Sequence, residues 1–344
     1  MRKTMKEIKN KPERATASVL LQAGLLAIFT FFFVWVIYKP VTTYRPNESY
    51  KPVLTVTPKK ALEFGGKPTP IIVGLYIHGF PDFEMVKDHF VIDLTVWFKF
   101  DPTLITLKRI SNFTFEKTTI LKKIQTNTKI EGNLFFVQYF MRISLKTRLE
   151  FENFPIDDHR VKMALINKGL TPSEAYFKSS KKNIQLNTGI HVPGWNIIDA
   201  FVETGYIKNK LDPSNIKYYP STEFFIDFAR TGIKHILSIL LPLLVVFFVS
   251  LLTFTFESET GILGTSVGSI SAILAHYFVI DRISPPSNYI MISDYLFLVA
   301  LMGCSVVLAI NIVGKKLTAT HKNIISVILY ITLILFILYL FLRG

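Results

Sequence analysis

A short turn with a single carboxylate is the most informative chemical feature of this sequence. Phe154, Pro155, Ile156 and Asp157 stand in a row, His159 follows, and a block of hydrophobic segments comes later in the chain. A peptide bond that precedes proline adopts the cis form at low cost, which favours a tight, protruding turn. Such a turn presents the Asp157 carboxylate to a neighbouring element, so the motif is suited to a contact between domains.

Hydroxyl and glycine residues inside one hydrophobic segment are the second such feature. Residues 261–280 include several glycines, several serines and His276. Polar groups at membrane depth are stable only when they face protein or water, so one face of this segment could line a water-filled pore if copies of the chain surrounded an axis. Small residues also allow close helix packing, and Gly264 with Gly268 fits that alternative.

The loop before this segment is acidic and has no basic residue. It reads Glu257, Ser258, Glu259, Thr260. Copies of this loop around an axis would form a ring of carboxylates at the mouth of a pore, which favours cations. Carboxylates also stabilise the amino terminus of a helix, and the two roles are compatible. A modest basic surplus in the predicted exported part argues against cation selectivity.

Five segments approach the length of about 20 apolar residues that crosses a membrane. They cover residues 17–38, 236–256, 261–280, 295–313 and 324–342. A cluster of basic residues precedes the first segment, and the absence of a small-residue cleavage site favours an uncleaved anchor over a cleaved signal peptide. Lys315, Lys316 and Lys322 then also lie in the cytoplasm. We expect a multi-pass cell-membrane protein with residues 39–230 and the carboxyl terminus outside.

The part between the first and second hydrophobic segments shows the period of β-strands. Residues 89–100 and 137–151 alternate between apolar and polar side chains, which is typical of antiparallel strands with one buried face. No long helical pattern interrupts them, so a β-sandwich follows. Residues 39–60 are rich in proline, threonine, tyrosine and lysine and predict an extended linker.

These patterns predict an α+β membrane protein in which an antiparallel β-sandwich precedes a four-helix transmembrane bundle. The predicted parts are a cytoplasmic tail (1–16), a transmembrane anchor helix (17–38), a linker (39–60), the β-sandwich (61–230) and the bundle (231–344). The formal net charge of +14 accompanies a half-hydrophobic composition and does not indicate nucleic-acid binding. The single cysteine, Cys304, excludes an intrachain disulfide.

This order of elements resembles the pentameric ligand-gated ion channels, the Cys-loop receptor superfamily, and in particular its bacterial members. The turn of that family reads Phe-Pro-Phe-Asp-x-Gln, which residues 154–157 resemble, with His159 in place of glutamine. The cysteines that bracket this turn in animal receptors would fall on Thr147 and Val161, so the disulfide is absent, as in bacterial relatives. The anchor helix is foreign to most channels of the family. Further matches are Trp195, Arg230, Pro242 and the loop at 284–289.

The resemblance implies a homopentameric channel that opens in response to an unknown small ligand, and the acidic loop favours cations as the permeant ions. Its partners would be copies of itself, membrane lipids and permeant ions, with no metal or other cofactor. It also implies that Asp157 and Arg230 approach each other at the domain boundary, where a buried ion pair would transmit movement or act as a static salt bridge. The implied coupling residues are Phe154, Pro155, Asp157, Arg230, Pro242 and Pro285.

Two registers of the pore-lining face remain open. Alignment with the family back from Asp281 and Pro285 without gaps places on the pore side Thr260, Gly264, Gly268, Ser271, Ala275 and Phe278. A slip of one residue gives a more apolar face, closer to a gate that closes by dewetting. That alternative face is Glu259, Leu263, Val267, Ile270, Leu274 and Tyr277. The sequence does not choose between them.

Family members bind agonists between subunits in an aromatic cage, which holds cationic amines. The corresponding positions here are Tyr176, Phe177, Tyr206, Tyr218 and Tyr219. Lysines in the adjoining loop, 207–217, disfavour an amine. Three alternatives stay open: an acidic ligand, a neutral ligand, or no ligand. Proton sensing by His159, His235 or His276 is a further option, although a single histidine more often makes ordinary hydrogen bonds.

The sequence has no signature of an enzyme. It lacks a phosphate-binding glycine loop, a His-Glu-x-x-His metal motif, a Cys-x-x-Cys pair and a nucleophile elbow. The competing class is a membrane-anchored sensor or scaffold that uses the same fold without conducting ions.

Overall fold

The computed structural model describes residues 11–51, 53–55, 62–209, 217–231, 233–314 and 317–343. The chain forms two compact units. The helical unit contains the described residues of Met1–Arg45, Phe151–Asp157 and Gly232–Gly344, and the β unit contains those of Pro46–Glu150 and Asp158–Thr231. The turn motif therefore belongs to the helical unit, although the strands on either side of it belong to the β unit.

The elements follow one another in chain order. They are α1 (Lys11–Thr42), β1 (Leu54–Thr55), β2 (Thr69–Glu84), β3 (His89–Phe100), α2 (Leu107–Ile110), β4 (Phe113–Phe115), β5 (Thr118–Glu131), β6 (Leu134–Lys146), β7 (His159–Asn167), β8 (Ala175–Lys178), β9 (Ile184–Leu186), β10 (Trp195–Asn209), β11 (Lys217–Arg230), α3 (Ile233–Leu252), α4 (Glu259–Ile283), α5 (Ile292–Val313) and α6 (Ala319–Arg343). Single turns of 3-10 helix occur at Met85–Lys87, Lys181–Asn183 and Thr253–Thr255.

Two sheets make up the β unit, which confirms a mixed α+β protein. One has five strands in the order β1-β10-β11-β7-β4, and the other has six elements, β5-β6-β3-β2-β8, with β9 also paired to β2. All pairings are antiparallel except those of β2 with β8 and β9. The buried faces of the sheets meet through aromatic pairs such as Phe83 with Phe228 and Phe98 with Phe113, 5.1 and 4.9 Å between ring centroids. This arrangement is compatible with a β-sandwich.

The strand predicted at 89–100 is confirmed, and its even-numbered apolar residues are buried throughout β3. The alternation at 137–151 extends beyond the strand, because β6 ends at Lys146. The backbone N–H groups that follow bond outside any ladder. Thr147 donates to the carbonyl of Asp88, Leu149 to the Asp88 carboxylate and Glu150 to the Glu48 carboxylate. For Leu149 and Glu150, side-chain carboxylates thus accept the hydrogen bonds that a neighbouring strand would accept.

Among the described residues, five helices are long and apolar enough to cross a membrane, as the sequence predicts. They are Ala17–Lys39, Ile233–Thr255, Glu259–Ile283, Ile292–Val313 and Thr320–Phe341. The direction in which each would cross stays a prediction.

The first helix packs inside the helical unit and is not a detached anchor. The buried Gln22 amide donates to Ser326 Oγ on α6 at 2.7 Å. Phe29 is fully buried beside Phe248 of α3 and Tyr330 of α6, with centroid distances of 5.0 and 6.3 Å. Interhelical hydrogen bonds and close packing hold helices together where the hydrophobic effect between them is weak. Helix α1 is therefore packed against α3 and α6 as part of the helical unit.

Candidate functional site

The turn motif forms as the sequence indicates. The peptide bond between Phe154 and Pro155 is cis. Phe154 is fully buried, and its ring meets the edge of the His235 ring of α3 at a centroid distance of 5.3 Å. The turn thus has an apolar anchor within the helical unit.

The carbonyl groups of this turn cap the amino terminus of α5. Ile292 N–H donates to Glu152 O and Ser293 N–H to Phe154 O, each at 3.1 Å. The Tyr289 hydroxyl accepts a bond of 2.6 Å from the Phe151 N–H. The first N–H groups of a helix have no partner within the helix, so these carbonyls satisfy groups that would otherwise be orphaned. Displacement of the turn would therefore leave the N–H groups of Ile292 and Ser293 without these acceptors.

The other predicted coupling residues occupy both units. Asp157 is fully buried in the helical unit, Pro242 lies inside α3 and Pro285 is buried after α4. Arg230, in the β unit, lies with its guanidinium over the Trp195 ring at 4.4 Å, and its backbone N–H donates to the Asp158 carboxylate at 3.1 Å. The ion pair of Asp157 with Arg230 would join the two units and stays a prediction.

Helix α4 has one face that is in contact with the rest of the helical unit. Ser266, Ser269, Ile273 and Ile280 are buried on that face. Every residue of the first pore-lining register is exposed, and Phe278 is 72% exposed. At about 100° per residue, this register lies roughly 170° from the buried face, whereas the alternative register lies only about 80° from it. A Cβ at Gly264 or Gly268 would meet no described atom within 4 Å.

A buried amide sets the rotation of α4. Asn311 of α5 donates to Ser266 Oγ at 2.9 Å and to Thr253 Oγ1 at 2.8 Å. On the same helix, His276 Nε2 donates to the Ile239 carbonyl of α3 at 3.1 Å. Pro242 lies in that part of α3 and lacks the N–H that would bond to the carbonyl of Ser238, the residue before Ile239. His276 is thus an ordinary hydrogen-bond donor in this arrangement.

Replacement of Asn311 by leucine is expected to destabilise the packing of α4 on α5 by about 1 kcal/mol, because interhelical hydrogen bonds in membranes contribute about 0.6 to 2 kcal/mol. The amides of α4 should exchange with deuterium about fivefold faster in the purified protein, since 1.4 kcal/mol corresponds to a factor of ten. The control is Ser305→Ala, since the exposed Ser305 hydroxyl bonds only to Leu301 O of its own helix among the contacts described. Equal exchange in both variants would contradict the assignment.

The acidic loop before α4 also serves as its cap. Ser258 is the N-cap residue, and its hydroxyl accepts from the Gly261 N–H at 3.3 Å. Glu259 lies in the first turn of the helix, where a carboxylate stabilises the helix dipole. Glu257 and Glu259 are exposed, so both roles inferred from the sequence remain compatible with the structure.

The predicted ligand residues separate into three groups. Phe177 is 1% exposed and contacts Phe98, so it is a core residue. Tyr206 and Tyr218 lie on either side of Phe64, with centroid distances of 5.1 and 5.3 Å. Burial raises the pKa of Tyr206 to about 12, and its hydroxyl has no partner among the described residues. Tyr176 and Tyr219 are partly exposed. A ligand at this cluster would compete with Phe64 for the two tyrosine rings.

The segment expected as a linker over 39–60 begins within α1, and its described residues from Pro46 onwards belong to the β unit. Helix α1 continues to Thr42, and we call the described residues 46–51 and 53–55 the strap. Its last two residues form β1, which pairs with Tyr206 and Gly205 of β10. A side chain at Gly205 would collide with the carbonyl of Leu54, so the strap needs glycine at this position.

The strap inserts a carboxylate into the β unit. The Glu48 side chain is 4% exposed and bonds to Nδ1 of the fully buried His159 at 2.7 Å. Its carboxylate also accepts from the backbone N–H groups of Glu150 and Arg160, at 3.1 and 2.7 Å. A buried carboxylate is tolerated when such bonds satisfy it. These three hydrogen bonds thus hold the Glu48 carboxylate in one position.

This pair adjoins residues that carry the family resemblance. The His159 ring lies 5.3 Å from the Trp195 ring, which in turn carries the Arg230 guanidinium. Tyr50 of the strap donates to Arg160 O at 2.8 Å and packs on Phe225. The strap thus contacts the start of β7, next to the stack of Trp195 and Arg230.

Sequence reasoning missed Glu48, Tyr289 and Asn311. Single polar residues in a proline-rich stretch, a loop and an apolar helix carry no periodic signal. The asparagine is the one that could have been found, because a polar amide within a membrane span needs a partner. The partner itself depends on which helices meet, which one sequence does not specify.

The fold and these sites define a membrane protein with one β-rich unit and, among its described residues, five helices that are long and apolar enough to span a bilayer. Scans against models of protein families and against the curated proteins find no match for this chain. Its relation to the pentameric channels therefore rests on the sequence motifs and stays a prediction.

Proposed function

We propose that this chain is a subunit of a homopentameric ligand-gated ion channel that conducts cations. In this proposal the β unit is a sandwich outside the cell that responds to a stimulus, and helices α3 to α6 form a four-helix pore domain. Helix α1 is an additional span that packs on α3 and α6. No part of the proposed mechanism requires enzymatic chemistry.

The exposed face of α4 carries the proposal. Thr260, Gly264, Gly268, Ser271 and Ala275 present hydroxyls, bare backbone and a methyl group away from the other helices. Lipid would solvate the hydroxyl groups and backbone poorly, whereas a water-filled path between copies of the chain would solvate them. The first register is therefore the better candidate for the pore, and Phe278 is its bulkiest side chain.

Two acidic residues support cation selectivity. Glu257 and Glu259 are exposed at the amino-terminal end of α4, and five copies would place ten carboxylates around one opening. Such a ring raises the local concentration of cations through its electrostatic potential. The apolar flank of α4, which includes Leu263, Val267 and Leu274, would be covered by the neighbouring subunit.

The capping of α5 by the turn supports a coupling role. A change in the β unit that moved the turn would withdraw Glu152 O and Phe154 O from the first N–H groups of α5. Helix α5 in turn holds α4 through Asn311 and Ser266. This chain of contacts offers a physical route from turn to pore helix.

Two matched cysteine variants test the proposal without knowledge of the stimulus. Ser271 and Ser269 each donate to the carbonyl four residues earlier in α4, at 3.1 and 2.9 Å, but lie on opposite faces. Ser271→Cys should react with a water-soluble, membrane-impermeant thiol reagent at least about tenfold faster than Ser269→Cys, because only a hydrated thiol forms the reactive thiolate. The native Cys304 is buried and provides the background.

Native mass spectrometry of the same samples should give five copies per particle. Bilayer recordings across a range of pH and small ligands should then show cation currents that modification of Ser271→Cys blocks. Equal, slow modification of both cysteines would place α4 against lipid or protein and would overturn the pore assignment. Five copies with a hydrated Ser271→Cys site but no current under any condition would favour the non-conducting sensor.

A further inference from the structure

Three potential metal ligands meet at the end of the β2–β3 hairpin. Ligand atoms of Asp82, Glu84 and His89 all lie within 4.8 Å of one another. His89 Nδ1 is 3.4 Å from Asp82 Oδ2, and all three side chains are reachable from solvent. The sequence predicts no metal here, since the two acids and the histidine do not form a recognised motif.

The hairpin register explains why the three converge. Asp82 and Glu84 are two residues apart on β2 and so point to the same face of the sheet. His89 is the direct cross-strand partner of Glu84. Directly opposed residues have Cβ atoms about 5 Å apart, and diagonal neighbours remain within reach of long side chains. The backbone therefore places two carboxylates and one imidazole above one point of the sheet.

The orientation of the imidazole favours metal binding. His89 Nε2 lies 3.0 Å from Ser144 Oγ on β6, so a bond to that hydroxyl leaves Nδ1 facing the carboxylates. Histidine ligands of metals commonly use their second nitrogen for such an outer contact, which fixes the tautomer and the ring plane. Ser144 is thus a positioning residue for Nδ1.

The distances suit a small tetrahedral ion. Zinc binds imidazole nitrogen and carboxylate oxygen at about 2.0 to 2.2 Å, which sets adjacent ligand atoms of a tetrahedron about 3.4 Å apart. The separation of His89 Nδ1 from Asp82 Oδ2 already has this value. Glu84 is turned towards Lys87, whose Nζ lies 3.0 Å from its carboxylate, and would have to leave that partner.

We propose that Asp82, Glu84 and His89 form a binding site for Zn²⁺, with one coordination position open to water. Imidazole together with carboxylates is a ligand set that first-row divalent ions such as zinc accept, whereas Mg²⁺ and Ca²⁺ prefer oxygen ligands alone. The ammonium group of Lys87 competes with the ion for Glu84. The inference concerns the β unit and does not depend on conduction.

A bound ion would join the ends of β2 and β3 across the turn at Met85–Lys87. Asp88 ends this turn in a left-handed conformation, and its carbonyl and carboxylate accept from Thr147 and Leu149. The ion would therefore stabilise the hairpin end that holds the segment after β6 in place.

Calorimetric titration of the untagged, full-length protein with ZnCl₂ tests the site. We expect one strong site per chain, and His89→Gln should weaken it at least about tenfold, as should Ser144→Ala through its outer contact. The matched control is His78→Gln, since His78 is a histidine of the neighbouring strand β2 that likewise bonds to a hydroxyl, Thr95 Oγ1 at 2.8 Å. Lys87→Met should strengthen binding because it removes the competing cation.

The outcomes decide the proposal. Absence of a strong site in the native chain, or equal weakening by His78→Gln and His89→Gln, would overturn it. Unchanged affinity in Lys87→Met would remove Glu84 from the ligand set and so would also overturn the three-ligand site. If His89→Gln failed to fold, Asp82→Asn would take its place, with the same expected loss of Zn²⁺ affinity and the same control.

Discussion

Replacement of Glu48 by alanine is expected to destabilise the contact between the strap and β7 by about 3 to 5 kcal/mol, because each buried donor that loses its acceptor costs about 1 to 3 kcal/mol and three donors lose one here. The native carboxylate accepts three bonds, from the His159 ring and from the N–H groups of Glu150 and Arg160. Alanine removes all three acceptor contacts at once. Buried donors left without a partner carry the full cost of their desolvation.

Hydrogen–deuterium exchange on the solubilised full chain measures this effect locally. A single free energy of unfolding is not defined for a protein of two units, whereas amide exchange reports each segment. The amides of the strap and of β7 should exchange faster by roughly two to four orders of magnitude, since 1.4 kcal/mol corresponds to a factor of ten. Glu48→Gln should have a smaller effect, because its amide oxygen still accepts one bond.

An exposed ion pair of the same unit provides the control. Lys181 and Asp199 are 2.6 Å apart, but their side chains are 67% and 43% exposed. Exposed pairs contribute about 0 to 1 kcal/mol, so Asp199→Ala should leave exchange in the strap and β7 unchanged. Similar exchange in Glu48→Ala and the native chain would show that the strap is only loosely attached.

The strap illustrates where sequence reasoning reaches its limit. The proline-rich composition of residues 39–60 predicts a linker but gives no sign that its residues dock on the β unit. The docking of that chain is decided by Glu48 with His159 and by the pairing of β1 with β10, contacts between residues more than a hundred positions apart. Local propensity contains no information about such long-range partners.

Elements with a periodic pattern could be predicted because the pattern is a local signal that needs no knowledge of long-range partners. The alternation at 89–100 repeats every two residues and defines β3 to its terminal residues, and the five hydrophobic segments are helices long and apolar enough to span a membrane. The alternation after β6 misleads because side-chain carboxylates replace a strand as acceptors. Which face of α4 is buried also lay beyond the sequence, because both candidate faces have helical spacing.

The turn motif lies between these cases. Its sequence indicates a tight turn, and the structure has a cis bond at Pro155. The sequence did not reveal the turn's carbonyl bonds to Ile292 and Ser293, since backbone acceptors have no residue signature. The bonds that join the motif to α5 are thus backbone bonds, which no residue pattern predicts.

Replacement of Phe154 by alanine is the second change with a large expected effect, a destabilisation of about 3 to 5 kcal/mol. The ring is fully buried against His235, so alanine leaves a cavity under the turn. The turn would then no longer be held against α3, and its carbonyls would leave the amino terminus of α5. The amides of Ile292 and Ser293 should lose their protection from exchange.

The matched control lies two residues away in the same turn. Ile156 is only partly buried, so Ile156→Ala removes apolar contact without a closed cavity and should leave the protection of Ile292 and Ser293 nearly unchanged. If the chain is a channel, Phe154→Ala should also abolish the response to the stimulus while the hydration of Ser271→Cys persists, because the pore face does not depend on the cap. Loss of the response with full protection of both amides would contradict this route. The signal would then pass by contacts other than the capping of α5.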